Sequence, residues 1–327
     1  MDFIADYIES TYRLFFNLNF RVSLYYLAAT IVLALGIWSV RGRSTPFLQW
    51  LLPKRIYTHR SNLVDIKLFL ANRLFALVGL SSLLVFTPVV AFQTLVVLTA
   101  VFRGEFEPQP VDSVRIALVT LLIVMVSDFC KYWSHRWQHK IKSLWPFHAV
   151  HHSADVLTPV TVLRVHPVEN MIRDLIISLV VGTLQGIVLF AVMGQISFVT
   201  IGGANAAYFL FNLFGANLRH SHIWLSYGRV LEHVFISPAQ HQIHHSVALR
   251  HHDKNFGSIF ALWDWMFGTL YIPDAEEDLV FGVSDAFGDP IDQPHPSLRA
   301  ALLKPFADSW AALRPAHSDN EDPVTDP

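Results

Sequence analysis

Charge is scarce in this chain. Only 15% of its 327 residues are Asp, Glu, Lys or Arg, against roughly 25% in soluble domains, while hydrophobic residues make up 53%. That balance points to a membrane protein. Neither sign dominates, with 24 basic and 26 acidic residues, so there is no basic footprint and no nucleic-acid partner is expected. Cysteine is nearly absent: Cys130 stands alone in an apolar segment, can form no intramolecular disulfide and reads as a small buried hydrophobe. The sequence also contains no HExxH helix, no haem-binding HPGG and no GxGxxG fingerprint, which leaves zinc-protease chemistry and a built-in reductase site without a motif.

Histidine, in contrast, is concentrated. Residues 135–152, HRWQHKIKSLWPFHAVHH, hold five of the 17 histidines, and HQIHH at 241–245 repeats the HxxHH spacing. On helices His135 and His139 share a face, as i and i+4, and His148, His151 and His152 are spaced so that each group can converge on one point, with His241, His244 and His245 doing the same. Eight imidazoles in this pattern read as a metal centre, because imidazole suits iron, copper and zinc.

The apolar runs place that centre. Residues 22–40 carry no charge and are long enough to span a bilayer; the basic stretch after them, with Arg41, Arg43, Lys54, Arg55 and Arg60, should be cytoplasmic. Residues 74–102 are uncharged and broken only by Pro88, which predicts one tilted or kinked crossing. RGEFEPQPVD then reads as an outer loop, and a third span over 114–133 runs into the first histidine pair. Residues 175–214 contain no charge and predict a helical hairpin turning at Met193-Gly194-Gln195. The expected fold is therefore all-α: about five crossings, with a cytoplasmic helical cap carrying the histidines. The tail from Pro315 is expected to be disordered.

In the motifs HRWQH, HAVHH, HSH at 220–222, HQIHH and the block HDKNFGSIFALWDWMFGTLY at 252–271, the chain resembles the fatty acid hydroxylase and sterol desaturase superfamily of membrane non-haem di-iron oxygenases. The likeness covers about residues 114–272. It implies a membrane anchor region at 1–113 with two spans, a catalytic domain at 114–272 and a C-terminal region at 273–327. It further implies two irons per chain, O2 activation on the cytoplasmic face and oxidation of a lipid C–H by hydroxylation or desaturation. The substrate classes are a sterol, fatty acyl chain, alkylglycerol or amino-acid-containing lipid. Electrons are expected from a separate ferredoxin- or cytochrome-type partner.

The expected metal ligands are His135, His139, His148, His151, His152, His220, His241, His244 and His245, with His220 taken from the family pattern as the ninth. His166, His222 and Glu169 are candidates for a further ligand or a supporting group. At helical spacing Asp128, Tyr132, His135 and His139 form one stripe, and a carboxylate near the end of a span needs a partner; Asp128 is accordingly expected to orient a ligand imidazole. Asp253, Asn255 and Asp264 are expected to support the site or the fold, His233, His251 and His252 to be structural, and His59, His295 and His317 to have no role in the site. A zinc-dependent membrane hydrolase is the rival reading, but it needs three ligands and a general base, fewer histidines than are present.

Overall fold

The computed structural model describes residues 3–42, 44–79, 85–102, 112–192, 198–285 and 287–314, with side chains at 192–205 left aside. It is helical, with three isolated bridges and no strand among the described residues. In chain order the helices are α1 (Phe3–Leu14), α2 (Leu24–Val40), α3 (Phe47–Leu51), α4 (Lys54–Tyr57), α5 (Arg60–Leu77), α6 (Thr87–Phe102), α7 (Ser113–Lys140), α8 (Trp145–His152), α9 (Pro167–Val192), α10 (Phe198–Leu213), α11 (Pro238–His244), α12 (Leu262–Met266) and α13 (Leu298–Leu313).

Helix α7 is the axis of the structure. Asp112 caps its N-terminus, its side chain accepting from Arg115 N at 2.8 Å, and α9 and α10 both pack along it. Ile123, Val124, Cys130 and Val181 form the buried core between them, with Ile259 closing it from below. The N-terminal half of α7 also exposes Val114, Leu118, Leu121 and Leu122, close enough together along the helix to form an apolar patch. Helices Ser113–Lys140 and Pro167–Ala191 are long and apolar enough to cross a membrane; α2 and α6 are apolar but shorter, at 17 and 16 residues.

α6 lies against α9 at close range because two glycines on α9 remove the side chains that would separate them. A Cβ at Gly186 would stand 2.5 Å from the Ala91 carbonyl oxygen, and one at Gly182 would stand 2.8 Å from Val90 Cβ. A small residue every fourth position is the usual device for close helix contact in apolar surroundings.

The structure departs from the sequence expectation over 74–102. That stretch is not one helix kinked at its proline: α5 ends at Leu77, α6 begins at Thr87, and Pro88 sits in the first turn of α6. The reason is that proline's missing N–H costs nothing in a first turn and breaks a hydrogen bond further in. α5 instead belongs to the histidine region, where Val64 and Leu68 pack against Val150 of α8 and Ala301 of α13. The expected outer loop, the expected hairpin turn and the expected disordered tail fall on residues 103–111, 193–197 and 315–327, outside the described residues.

Candidate metal centre

His135 and His139 sit on the last two turns of α7; a break at 141–144 turns the chain into α8, which carries His148, His151 and His152. The helical turn Ala216–His220 supplies His220, and α11 with its C-cap supplies His241, His244 and His245. Ser237 begins α11 with a reciprocal cap, its hydroxyl accepting from Gln240 N while the Gln240 side chain accepts from Ser237 N, which fixes the helix that presents three imidazoles.

All nine expected ligands come together, in two groups: His135, His139, His148, His152 and His244, and His151, His220, His241 and His245. Within each group the ring nitrogens lie within 4.8 Å of one another. Neither HxxHH triad converges on a single point, contrary to the sequence expectation. Each sends its i,i+4 pair to one group, 148 with 152 and 241 with 245, and its remaining histidine to the other. Successive residues on a helix are turned by about 100°, so His151 and His152 cannot face the same ion. Each box therefore ties the two groups together.

Backbone carbonyls set three of the rings. His135 Nδ1 lies 2.8 Å from Phe256 O, His244 Nδ1 2.8 Å from Lys254 O, and His151 Nδ1 3.1 Å from Arg164 O. A carbonyl only accepts, so each Nδ1 carries the proton and each Nε2 presents its lone pair inward. A fourth ring meets a carboxylate: Glu169 Oε1 lies 3.0 Å from His148 Nδ1, an electrostatic contact outside hydrogen-bond geometry.

The inward atoms fit a metal. His135, His139 and His244 have buried Nε2 atoms with no hydrogen-bond partner, an arrangement that is costly unless something else satisfies them. Elsewhere Nε2 faces Nε2: 3.1 Å between His148 and His152, 3.3 Å between His151 and His220, 3.2 Å between His220 and His241, and 3.2 Å between His241 and His245. Two nitrogens bound to one ion at about 2.1 Å stand about 3.0 Å apart at a right angle and about 3.4 Å apart in a tetrahedron. Burial pulls His148 down to about 3 and His151 to about 4. The same cause, with mutual repulsion, holds His152, His220, His241, His244 and His245 well below the ordinary imidazole value. These rings are neutral at pH 7, the state that binds metal.

The other candidates divide. Glu169 reaches the site through His148. His166 does not: its Nε2 meets Leu302 O at 3.2 Å, its Nδ1 accepts from Val168 N, and Phe147 and Phe306 cover the ring. His222 bonds Trp50 O at 2.8 Å and joins neither group. His233, His251 and His252 engage Arg229 O, Glu277 and Val247 O, and His317 lies outside the described residues.

Asp128 requires correction. It touches no imidazole; one oxygen accepts from Ile259 N at 2.9 Å, and the other from Phe260 N at 3.0 Å and Trp263 Nε1 at 3.1 Å. Nor is it at an interface, being fully buried. Three N–H groups satisfy this carboxylate more fully than one imidazole could, and they fasten the 256–264 segment to α7. Asp264 works on the same segment, accepting from Phe256 N and Gly257 N at 2.8 Å each and from Thr269 Oγ1; its pKa is pushed up to about 6 by burial. Asn255 has φ of 58° and ties Gln240 O to Tyr271. Gly257 admits no side chain, since a Cβ would stand 2.5 Å from Phe260 O. Together they hold the carbonyls that orient His135 and His244.

The sequence reading missed Arg164. It is fully buried, pairs with Asp65 at 2.9 Å and donates to Val150 O and Ser153, while its own carbonyl receives His151. His295, which carried no signal, bonds Ser153 Oγ at 2.9 Å in the same network. The available hint was one arginine in the otherwise uncharged run 156–165.

Residues 120–269 match the fatty acid hydroxylase family. Among curated relatives, the chain is 28% identical over 183 residues to the ornithine lipid hydroxylase OlsE of Rhizobium tropici, covering 56% of this chain and 50% of that one. It is 29% identical over 161 residues to alkylglycerol monooxygenase of Danio rerio, covering 49% and 32%. It is 27% identical over 169 residues to a putative Delta(7)-sterol-C5(6)-desaturase of Arabidopsis thaliana, covering 49% and 50%. The chain thus spans half or less of the length of these relatives. No solved structure matches it. None of these matches is a hydrolase, and the zinc-hydrolase reading finds no support. The matched segment contains every histidine of the two groups, and residues 120–269 are a domain of the fatty acid hydroxylase and sterol desaturase superfamily.

Proposed function

We propose that this protein is a membrane-embedded di-iron oxygenase that hydroxylates or desaturates a lipid at a C–H bond, drawing electrons from a separate ferredoxin- or cytochrome-type donor. The observation that carries the reading is the pair of buried histidine groups, five and four imidazoles. Nine nitrogen donors are what two irons with open positions would use. Iron bound there would supply O2 activation and the oxidation of an unactivated C–H. The chain's part is to keep the imidazoles neutral and aimed: Phe256 O, Lys254 O and Arg164 O hold the Nδ1 protons of His135, His244 and His151, and the Glu169 carboxylate lies against His148. Burial keeps bulk water from the reacting centre.

In this reading α2, α6, α7, α9 and α10 cross the bilayer, the two short ones with local thinning. The ends of α2 and α7 that carry Arg41, Lys140 and Lys142 face the cytoplasm by the positive-inside rule, which puts the histidine groups at the inner surface. The test is metal analysis of the purified protein together with lipid mass spectrometry of cells with and without it. Two irons per chain and a lipid gaining one oxygen or losing two hydrogens are expected; one zinc per chain and an unchanged lipid profile would overturn the proposal.

A further inference from the structure

A cavity of about 530 Å³ opens beside the histidine groups, with His135, His148, His151, His220 and His241 on one wall. Its other walls carry the charge this sequence is short of. Arg21, Lys131 and Arg219 all line it, and among the described residues none of the three is in a salt bridge. Arg219 is 3% exposed; its terminal nitrogens donate to Ser258 O and Ile236 O, and its Nε has no partner. Arg21 donates to Ala216 O, and its buried Nε is likewise unpartnered. Lys131 Nζ lies 4.0 Å from the centre of the Tyr208 ring. Two carboxylates stand near them: Glu169 lines the same cavity, with one oxygen 3.0 Å from His148 Nδ1 and the other unpartnered, and Asp128, one turn before Lys131, keeps its charge while accepting from Ile259, Phe260 and Trp263. Three cations against two carboxylates leave the wall net positive, since carbonyl acceptors do not neutralise cations, and an uncompensated buried charge is costly. Metal ions next to them would add to the positive field.

A second space shares a wall residue with the first. A groove of about 570 Å³ between α7 and α10 is lined by Ile116, Thr120 and Val124, by Ala207 and Phe211, and by Ile259, which also lines the cavity. Residues 116, 120 and 124, then 131 and 135, follow one another along α7, so groove and cavity lie in succession along this helix, a path from Ile116 to His135. We propose that this path holds an anionic lipid, its phosphate or carboxylate headgroup at Arg21, Lys131 and Arg219 and its chain along the groove. The inference rests on the oxygenase reading, and it deepens it: Lys131 precedes His135 by four residues, about 6 Å along the helix, so the oxidised carbon lies near the headgroup and not far down the chain.

The test uses the full chain, metal-loaded, in an uncharged detergent, with three probes that share a twelve-carbon chain: dodecyl phosphate, N-dodecanoylglycine and monododecanoylglycerol. Calorimetric titration should show at least one charged probe binding about 10- to 100-fold more tightly than the neutral one. Lys131→Met, which removes a ring contact and a charge near Asp128 but no hydrogen bond or salt bridge, should erase most of that preference, as should Arg21→Gln. Equal affinity for the three probes, or a preference unchanged in both variants, would overturn the proposal. Inorganic phosphate binding as tightly as dodecyl phosphate would also overturn it, since the site would then serve a free anion. Iron content of the same samples reports on the oxygenase reading separately.

Discussion

Replacing Asp128 by Asn separates two roles for this carboxylate. If it acted electrostatically on the metal, the substitution would lower metal affinity and leave the apo fold alone. The geometry points to the fold. Two of the three donors, Phe260 N and Trp263 Nε1, share one oxygen, and Ile259 N has the other to itself. An amide oxygen can keep the first pair, but its NH2 group then faces the Ile259 N–H. One buried donor left unsatisfied costs about 1–3 kcal/mol, and two bonds weakened from charged to neutral lose about 1 kcal/mol each, so the total is about 3–5 kcal/mol. Against a whole-domain stability of about 5–15 kcal/mol, the 256–264 segment should loosen, carrying the Phe256 carbonyl away from His135. Expected are a melting temperature lower by about 5–15 °C in the metal-free protein and iron loss led by the five-histidine group, with turnover down about 10- to 100-fold. Asp112→Asn is the control, because Asn caps a helix about as well as Asp. Wild-type melting of the metal-free Asp128→Asn protein, with iron still lost, would refute the argument.

Four further outcomes are expected. His151→Ala and His244→Ala should each lower bound iron and abolish turnover while the protein stays membrane-inserted, whereas His59→Ala, which removes only a weak cap on α5, should keep full iron by metal analysis. Gly186→Val should drive a side chain into Ala91 and Thr94 and destabilise the α6–α9 contact by about 1–3 kcal/mol or more, read as earlier thermal aggregation in detergent. Arg164→Met should be more damaging than its distance from the metal suggests, since it leaves Asp65 buried and unpaired at about 3–5 kcal/mol and frees the carbonyl at His151; a variant with wild-type stability would be inconsistent with the network. The metal-free protein should lose stability on acidification: burial lowers the folded pKa values of His148, His151 and His295 to about 3, 4 and 4 against 6.5 unfolded, so the unfolded chain binds more protons as pH falls below about 6.5, and the loss continues down to about pH 3.

The histidine groups were legible in the sequence because metal binding needs specific residue types at helical spacing, and both survive as text. Which histidine serves which group was not legible, because it depends on 100° steps around α8 and α11 and on how those helices are set against α7. Asp128 shows the limit more sharply. Its burial and its need for a partner could be argued from one span, but the partners lie about 130 residues away on a loop whose shape depends on Asn255, Gly257 and Asp264. A helical stripe names neighbours along one helix and is silent about what packs against it.

The N-terminal third was the least legible, for a related reason. Hydropathy reports only how apolar a run is, and α5 was partly hidden inside an uncharged stretch that looked like a crossing. Its buried polar residues carry its role: Asp65 receives Arg164, Asn62 bonds Ile56 O, and Ser61 bonds the Asp155 N–H. These contacts seat α5 under the loop that carries the Arg164 carbonyl. The metal groups are thus held from two sides, by the 256–264 segment fastened to α7 through Asp128 and by the 153–166 segment fastened to α5 through Arg164. A charge removed at either anchor should reach a different imidazole, His135 in the first case and His151 in the second. Iron loss from Asp128→Asn and from Arg164→Met should therefore begin at different groups, a distinction that spectroscopy of the partly loaded protein can read.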